Sequence, residues 1–224
     1  MEFGALNIFF RFAGQALPQL LDGFTVTLLL AATALPLALA LAVPILALRL
    51  SAFAALRIPA IAFIELMRNT PLLPQMFMLY FGLPLLGWRV SGFACGVAAM
   101  TLQHGAFFAE LYRGAVASIS RRQWEAGAAL GLTRRRTLVE LILPQALVRA
   151  IPAMSNQIVL LAKDTSLVSG IGVLELTLTA KTILERTAAS FEVFIIVAIL
   201  YLAMTVVLQT VLRVIEHRLA WRYA

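Results

Sequence analysis

The sequence predicts an all-α, polytopic membrane protein with five transmembrane helices and an N-terminal interfacial helix. Of the 224 residues, 62% are apolar and 13% are charged, whereas soluble domains carry about 25% charged residues. The mean hydropathy is +0.92, and apolar runs long enough to cross a hydrocarbon core of about 30 Å recur along the chain. This composition excludes an ordinary cytosolic enzyme, a disordered chain and a disulfide scaffold, and a single cysteine, Cys95, allows no intramolecular disulfide.

The first predicted span covers the long uncharged run at residues 23–48. As a helix this run measures roughly 39 Å, so it crosses the bilayer with some tilt. The residues before it, 1–21, are predicted to form the interfacial helix because apolar side chains share one helical face. These side chains are Phe3, Leu6, Phe10, Ala13 and Leu17.

Four further spans are predicted over residues 58–81, 90–109, 150–174 and 193–212. Charged residues and prolines interrupt the second and the fourth of them, at Glu65, Arg68, Pro71 and Pro74, and at Lys163 and Asp164. No repeat or low-complexity linker divides the chain. We therefore expect one transmembrane domain over residues 1–224.

The basic residues orient these spans, because cytoplasmic loops collect Lys and Arg. With the N-terminus outside and the C-terminus inside, the inner segments hold twelve arginines: Arg49, Arg57, Arg113, Arg121, Arg122, Arg134, Arg135, Arg136, Arg149, Arg213, Arg218 and Arg222. The outer segments hold four basic residues: Arg11, Arg89, Lys181 and Arg186. This asymmetry accounts for the net charge of +7 without a nucleic-acid partner, and it predicts a multi-pass membrane protein with a cytoplasmic C-terminus.

The cytoplasmic loop at residues 113–149 is the most informative part of the sequence. Residues 124–130 favour helix by propensity, and Ala126, Ala129 and Leu130 share one face by their spacing. Gly131 suits the left-handed position that ends a helix, and Thr133 can cap the next one. The loop is therefore predicted to form a short helix, a sharp turn and a second helix that ends near Pro144.

This loop resembles the EAA motif of ATP-binding cassette importer permeases, which reads Glu-Ala-Ala, three residues, Gly, nine residues, Ile-x-Leu-Pro. The corresponding residues are Glu125, Ala126 and Gly127, then Gly131, then Leu141, Ile142, Leu143 and Pro144. Gly127 replaces an alanine, which should loosen the helix by up to about 1 kcal/mol. Four further stretches are similar to sequences of the permeases in this family that import polar amino acids. They are residues 65–73, 110–114, 143–146 and 163–167.

The resemblance implies a type I importer permease of a bacterial inner membrane, in which this loop is the coupling helix that docks onto an ATPase subunit. Glu125 would meet a polar or basic group of that subunit, Ala126, Ala129 and Leu130 would form the packing face, and Gly131 would make the turn. The chain has no G-x-x-x-x-G-K-[ST] segment. ATP and Mg²⁺ are therefore expected on the partner ATPase, and no cofactor or metal is expected in this chain.

Polar residues inside predicted spans are the candidates for the substrate path, because they are costly there. The stronger candidates interrupt the fourth span: Lys163, Asp164, Thr165 and Ser166. Lys163 can take a substrate carboxylate and Asp164 an α-ammonium group, or the two can neutralise neighbours at a dimer interface. The weaker candidates are Arg68, Asn69, Thr70 and Gln103. Arg68 can instead pair with Glu65 at a helix break.

The predicted function is the membrane-spanning subunit of an ATP-driven importer for polar amino acids, not an enzyme. Its expected partners are an ATPase subunit, an identical or similar second permease, an external substrate-binding protein, the transported amino acid and the lipid bilayer. One alternative is a secondary amino acid transporter driven by an ion gradient, which has no need of the 125–144 loop. A membrane enzyme is the other, but no pattern of catalytic residues supports it.

Overall fold

The computed structural model describes residues 2–187 and 190–220, with side chains described for residues 13–187 and 191–218, and this part of the chain contains helices and no strand. The α-helices are α1 (Glu2–Arg49), α2 (Ala54–Asn69), α3 (Leu72–Gly82), α4 (Gly92–Ala117), α5 (Arg121–Ala129), α6 (Arg134–Arg136), α7 (Leu143–Asp164), α8 (Leu176–Thr187) and α9 (Ser190–Ala220). Two 3-10 helices, Leu83–Leu86 and Thr165–Ile171, and one π-helix, Thr137–Ile142, connect some of them.

The N-terminal region differs from the prediction, because α1 is one continuous helix of 48 residues. No break separates the predicted interfacial helix at 1–21 from the first span. A single glycine costs a helix only about 1 kcal/mol, and Gly23 has a packing role: a Cβ atom there would lie 2.5 Å from Thr179 Oγ1. Interfacial placement of residues 1–21 stays a prediction, and the side chains of Phe3, Leu6 and Phe10 lie outside the described residues.

Three helical segments of the described chain are long and apolar enough to cross a membrane: Ala13–Arg49, Arg134–Ile171 and Phe191–Arg218. They contain the first and fifth predicted spans and all of the fourth except residues 172–174. The third predicted span, 90–109, begins two residues before α4 and otherwise lies within it. The second predicted span is divided between α2 and α3. The structure thus supports a multi-pass helical protein, and the count of five stays a prediction.

The division of the second span occurs at Thr70 and Pro71. Pro71 has φ −63° and ψ 145° and precedes the first residue of α3. Since proline disfavours the helical conformation of the residue before it, α2 ends at Asn69. Pro59, by contrast, lies inside α2, in its first half.

The chain forms two compact units, each assembled from segments that are distant in sequence. The first unit comprises Met1–Pro36, Thr70–Thr101 and Leu160–Leu208, and the second comprises Leu37–Asn69, Leu102–Val159 and Gln209–Ala224. Neither unit is therefore a contiguous stretch of the sequence. A single domain over residues 1–224 stays a prediction.

Each unit has its own buried apolar cluster. In the first unit α1, α8 and α9 contribute Ala16, Leu20, Leu176, Ala180, Ile183, Val193, Ile196 and Val197. In the second unit the end of α4, the connection that follows it, the π-helix and α7 contribute Ala115, Val116, Ile119, Ile142, Ala146 and Ala150. Five of the six residues of the second cluster belong to the 113–149 loop, so this cluster holds the two ends of the loop together.

Candidate functional site

The short helix α5 is held to the second unit by two residues on its inner side. The Trp124 side chain packs on the apolar cluster at the end of α4 and in α7. Gly127 is buried, and a Cβ atom at this position would lie 2.7 Å from Thr137 Oγ1 and collide with its methyl group. The replacement of alanine by Gly127 therefore permits a close approach between α5 and the π-helix, in addition to its effect on helix propensity.

The outer side of α5 is exposed and carries the residues predicted to couple to an ATPase. Glu125, Ala126, Ala129 and Leu130 are all exposed, Leu130 by 74%. Glu125 Oε1 lies 3.1 Å from Arg121 Nε, in a pair open to solvent. Exposed pairs of this kind contribute about 0–1 kcal/mol, so Glu125 can exchange Arg121 for another partner at little cost. We call these four residues the α5 outer face.

The predicted turn after α5 is confirmed in detail. Gly131 has φ +75°, and the Leu132 N–H donates to the Gly127 carbonyl while the Gly131 N–H donates to the Ala128 carbonyl. This is the Schellman arrangement, which places the residue after the helix cap in the left-handed region. Thr133 then caps α6, since its Oγ1 accepts a hydrogen bond from Arg136 N at 3.4 Å.

The second helix of the loop does not end near Pro144, as the sequence predicted. Helical structure continues from Arg134 through α7 to Asp164. Pro144 has no N–H, and its ring would press on the carbonyl four residues earlier in a regular α-helix. The wider π-helical turns of Thr137–Ile142 lie at this place, and they let the helix pass through the proline without ending.

The helix changes type at the segment predicted to contact substrate. The α-helix α7 ends at Asp164, and the 3-10 helix Thr165–Ile171 follows directly. The predicted interruption is thus a change of helical geometry and not an unwound break. Lys163 is exposed and Asp164 and Ser166 are half-buried, whereas Thr165 is fully buried and its Oγ1 donates to the Ala162 carbonyl at 2.7 Å.

Lys163 and Ser166 line an open groove of about 320 Å³ in the first unit, together with Tyr201, Leu202 and Thr205 of α9. The groove brings one cation and three hydroxyl groups to an otherwise apolar wall. A lysine and neutral hydroxyl donors suit a carboxylate ligand. Tyr201 and Thr205 were not predicted, because they lie far from Lys163 in the sequence.

A buried carboxylate holds the phenol of Tyr201. Glu175 is fully buried, and its Oε2 accepts hydrogen bonds from Tyr201 Oη at 2.9 Å and from Thr27 Oγ1 at 3.4 Å. Its Oε1 accepts from the Leu178 N–H at 2.8 Å, which caps α8. Burial raises the pKa of the Glu175 carboxyl, and the hydrogen bonds it accepts offset only part of this shift. Glu175 is not among the predicted site residues, although it is the one charged residue between Asp164 and Lys181.

The weaker substrate-path candidates have local partners. In the second unit, the Arg68 guanidinium carbon lies 5.3 Å from the centre of the Phe107 ring, and Asn69 Nδ2 donates to Glu65 Oε2 at 2.8 Å. Glu65 and Arg68 therefore contact different groups and do not form the pair that their spacing suggested. Two further contacts are Gln103 Nε2 to the Met67 carbonyl at 3.2 Å, and, in the first unit, Gln75 Nε2 to Thr70 Oγ1 at 2.7 Å.

Residues 35–221 match the family described as the binding-protein-dependent transport system inner membrane component. The chain belongs to this family. The permease is therefore a multi-pass inner-membrane component of a transport system and not an enzyme.

Two relatives are similar over most of the permease. It is 36% identical over 203 residues to the probable glutamine ABC transporter permease protein GlnM of Bacillus subtilis (strain 168), covering 91% of this chain and 94% of the relative. It is 41% identical over 162 residues to the glutamine transport system permease protein GlnP of Escherichia coli (strain K12), covering 71% and 74% of the two chains.

Chains of two solved transporter structures have a fold similar to that of the permease. A chain in the crystal structure of an amino acid ABC transporter with histidines superposes with a TM-score of 0.88 at 31% identity, over 93% of the permease and 98% of that chain. A chain of the MetNI methionine ABC transporter, in an inward-facing conformation, superposes with a TM-score of 0.76 over 90% and 96% of the two chains. At 19% identity this second match establishes the fold alone.

Proposed function

We propose that this permease is the membrane-spanning subunit of an ATP-driven importer for polar amino acids. The observation that carries the proposal is the exposed α5 outer face. The opposite side of this helix is packed against the second unit through Trp124 and Gly127. A rigid helix with small side chains and one carboxylate suits a groove on a partner protein. Membership in a family of binding-protein-dependent transport components supports an importer, and it disfavours a transporter driven by an ion gradient.

The proposed assembly has four kinds of subunit or ligand around this chain. Two ATPase subunits bind ATP and Mg²⁺ at the cytoplasmic side, because this chain has no P-loop of its own. A second permease, identical or similar, completes the translocation path. An external binding protein delivers the amino acid. ATP binding closes the ATPase pair and moves α5, and the spans then alternate between outward and inward openings.

The proposed cargo is a polar amino acid. The relatives named for glutamine and the structure named for an amino acid transporter with histidines support this class. In the first unit, the groove with Lys163, Ser166 and Tyr201 offers a cation and hydroxyl groups to a carboxylate. Asp164 lies next to Lys163 in the sequence and is the proposed partner for the α-ammonium group.

The proposal is tested by reconstituting the permease in proteoliposomes with its ATPase and binding protein. We expect uptake of L-glutamine or another polar amino acid that requires both ATP and the binding protein. Uptake that continues without ATP and stops when the ion gradient is collapsed would replace the proposal with secondary transport. Capture of the ATPase subunit by the tagged permease gives the second readout, which is independent of the choice of amino acid.

A further inference from the structure

The second unit contains a polar groove that the coupling and substrate assignments do not use. The groove lies between α7 and α9 and has a volume of about 230 Å³. Its polar lining comprises Ser155, Asn156, Gln209, Arg213 and Glu216. We call it the α7–α9 groove.

The lining residues form one face on each helix. On α7, Ser155 and Asn156 are followed at helical spacing by Val159, and on α9 Gln209, Arg213 and Glu216 recur every three or four residues. The α7 face lies near the start of the fourth predicted span, and Arg213 and Glu216 follow the fifth predicted span, which ends at Leu212. The predicted topology therefore places the two charges at the cytoplasmic end of α9, where a water-soluble ligand can reach them.

The two charges in the groove are open to a ligand. Arg213 is exposed, and Glu216, one helical turn later, is half-buried. Glu216 Oε1 accepts one hydrogen bond within the groove, from Ser155 Oγ at 3.5 Å. This is a long contact for two oxygen atoms, so it compensates the carboxylate weakly.

We propose that the α7–α9 groove is a second amino-acid site, which binds the α-ammonium and α-carboxylate groups common to all free amino acids. Arg213 pairs with the carboxylate, Glu216 with the ammonium, and the amides of Asn156 and Gln209 complete the polar lining. The volume is below the range of about 300–1,000 Å³ typical of sites for larger ligands and fits a small one. The choice of an amino acid as occupant rests on the proposed function.

The site recognises the main chain of its ligand and not a particular side chain. The groove offers one cation and one anion, and the rest of its lining is neutral. A ligand that lacks either charge leaves Arg213 or Glu216 without a partner. We therefore expect L-glutamine and L-arginine to bind comparably, and L-glutaminamide and N-acetyl-L-glutamine to bind about tenfold or more weakly, as for a lost charged hydrogen bond.

The test is protection of a single cysteine in membrane vesicles that carry the assembled transporter. The permease has one native cysteine, Cys95, which is buried. Ser155→Cys places a reactive thiol in the groove, and Ala153→Cys places one on the exposed surface of the same helix, outside the lining. L-Glutamine should slow maleimide labelling of the Ser155→Cys variant several-fold and leave the Ala153→Cys variant unchanged.

Variants of the two charges give the matching half of the test. In the Ser155→Cys background, Arg213→Gln should weaken protection by L-glutamine about tenfold and change the already weak response to L-glutaminamide little. Glu216→Gln should also weaken protection by L-glutamine about tenfold. It should change the already weak response to N-acetyl-L-glutamine little. Lys163→Ala should retain protection, because Lys163 lines the other groove.

Three outcomes would overturn the proposal: no protection by any amino acid, equal protection by the charge-blocked analogues, or a thiol that is inaccessible whenever a second permease is present. The last outcome would identify the groove as a subunit contact.

ATP-dependent uptake is measured on the same vesicles. Protection without uptake would leave the groove site standing and contradict the import function, whereas uptake without protection would contradict the groove site alone.

Discussion

Glu125 and Glu140 are exposed glutamates of the same loop, and each has an arginine four residues before it. Only Glu125 lies on the α5 outer face. We predict that Glu125→Lys weakens capture of the ATPase subunit, because removal of one member of an interfacial charge pair costs about 2–5 kcal/mol of binding. Glu140→Lys is the matched control and should leave capture near the wild-type level. Equal capture by both variants would contradict the role of Glu125.

Lys163 and Lys181 are the two lysines of the chain, and both are exposed. Only Lys163 lines the groove that contains Tyr201. We predict that Lys163→Ala, and likewise Asp164→Ala, abolishes amino acid uptake in proteoliposomes while the assembled complex is recovered in normal yield. Lys181→Ala should transport normally. Loss of assembly in place of transport would assign Lys163 and Asp164 to the structure of the complex, and normal uptake would remove them from the substrate path.

At the scale of the element, Gly131 sets the direction in which the chain leaves α5. At φ +75° a β-branched side chain is strained by about 1 kcal/mol or more, although no atom lies within 4 Å of the Cβ position. We predict that Gly131→Val leaves the permease inserted but reduces capture of the ATPase or uncouples ATP hydrolysis from uptake.

Gly114→Val is the control for this prediction. Gly114 also has open space around its Cβ position, and it lies in the regular α-helix α4. Any general cost of a valine should therefore appear in both variants. ATPase activity stimulated by the binding protein with its amino acid, measured beside uptake, separates the two. A Gly131→Val complex with wild-type values in both measurements would show that the turn does not serve coupling.

At the scale of the whole molecule, the distribution of basic residues predicts that the two ends of the chain lie on opposite sides of the membrane. An epitope tag at the N-terminus should be digested by protease added outside intact spheroplasts, and a tag after Ala224 should be protected. Two tags on the same side would require an even number of spans and overturn the predicted topology.

The sequence predicted features that depend on neighbours along the chain, and it missed those that depend on distant residues. The left-handed Gly131 and the Thr133 cap follow from local backbone chemistry. The contact between Glu175 and Tyr201 joins residues 26 apart, so no local pattern reveals it. Pro144 was misread because a proline ends a regular α-helix, whereas the π-helix at Thr137–Ile142 accommodates it.

The contact between Gly127 and Thr137 makes the effect of one substitution depend on the other. Gly127→Ala restores the alanine of the EAA motif and by itself favours helix by about 0.5–1 kcal/mol, yet the new methyl group would collide with the Thr137 side chain. We predict that Gly127→Ala lowers the thermal stability of the purified complex and that, in a Thr137→Ala background, the same change raises it. An adaptive route between the two loop sequences must therefore alter position 137 before position 127, and the reverse order passes through a less stable intermediate.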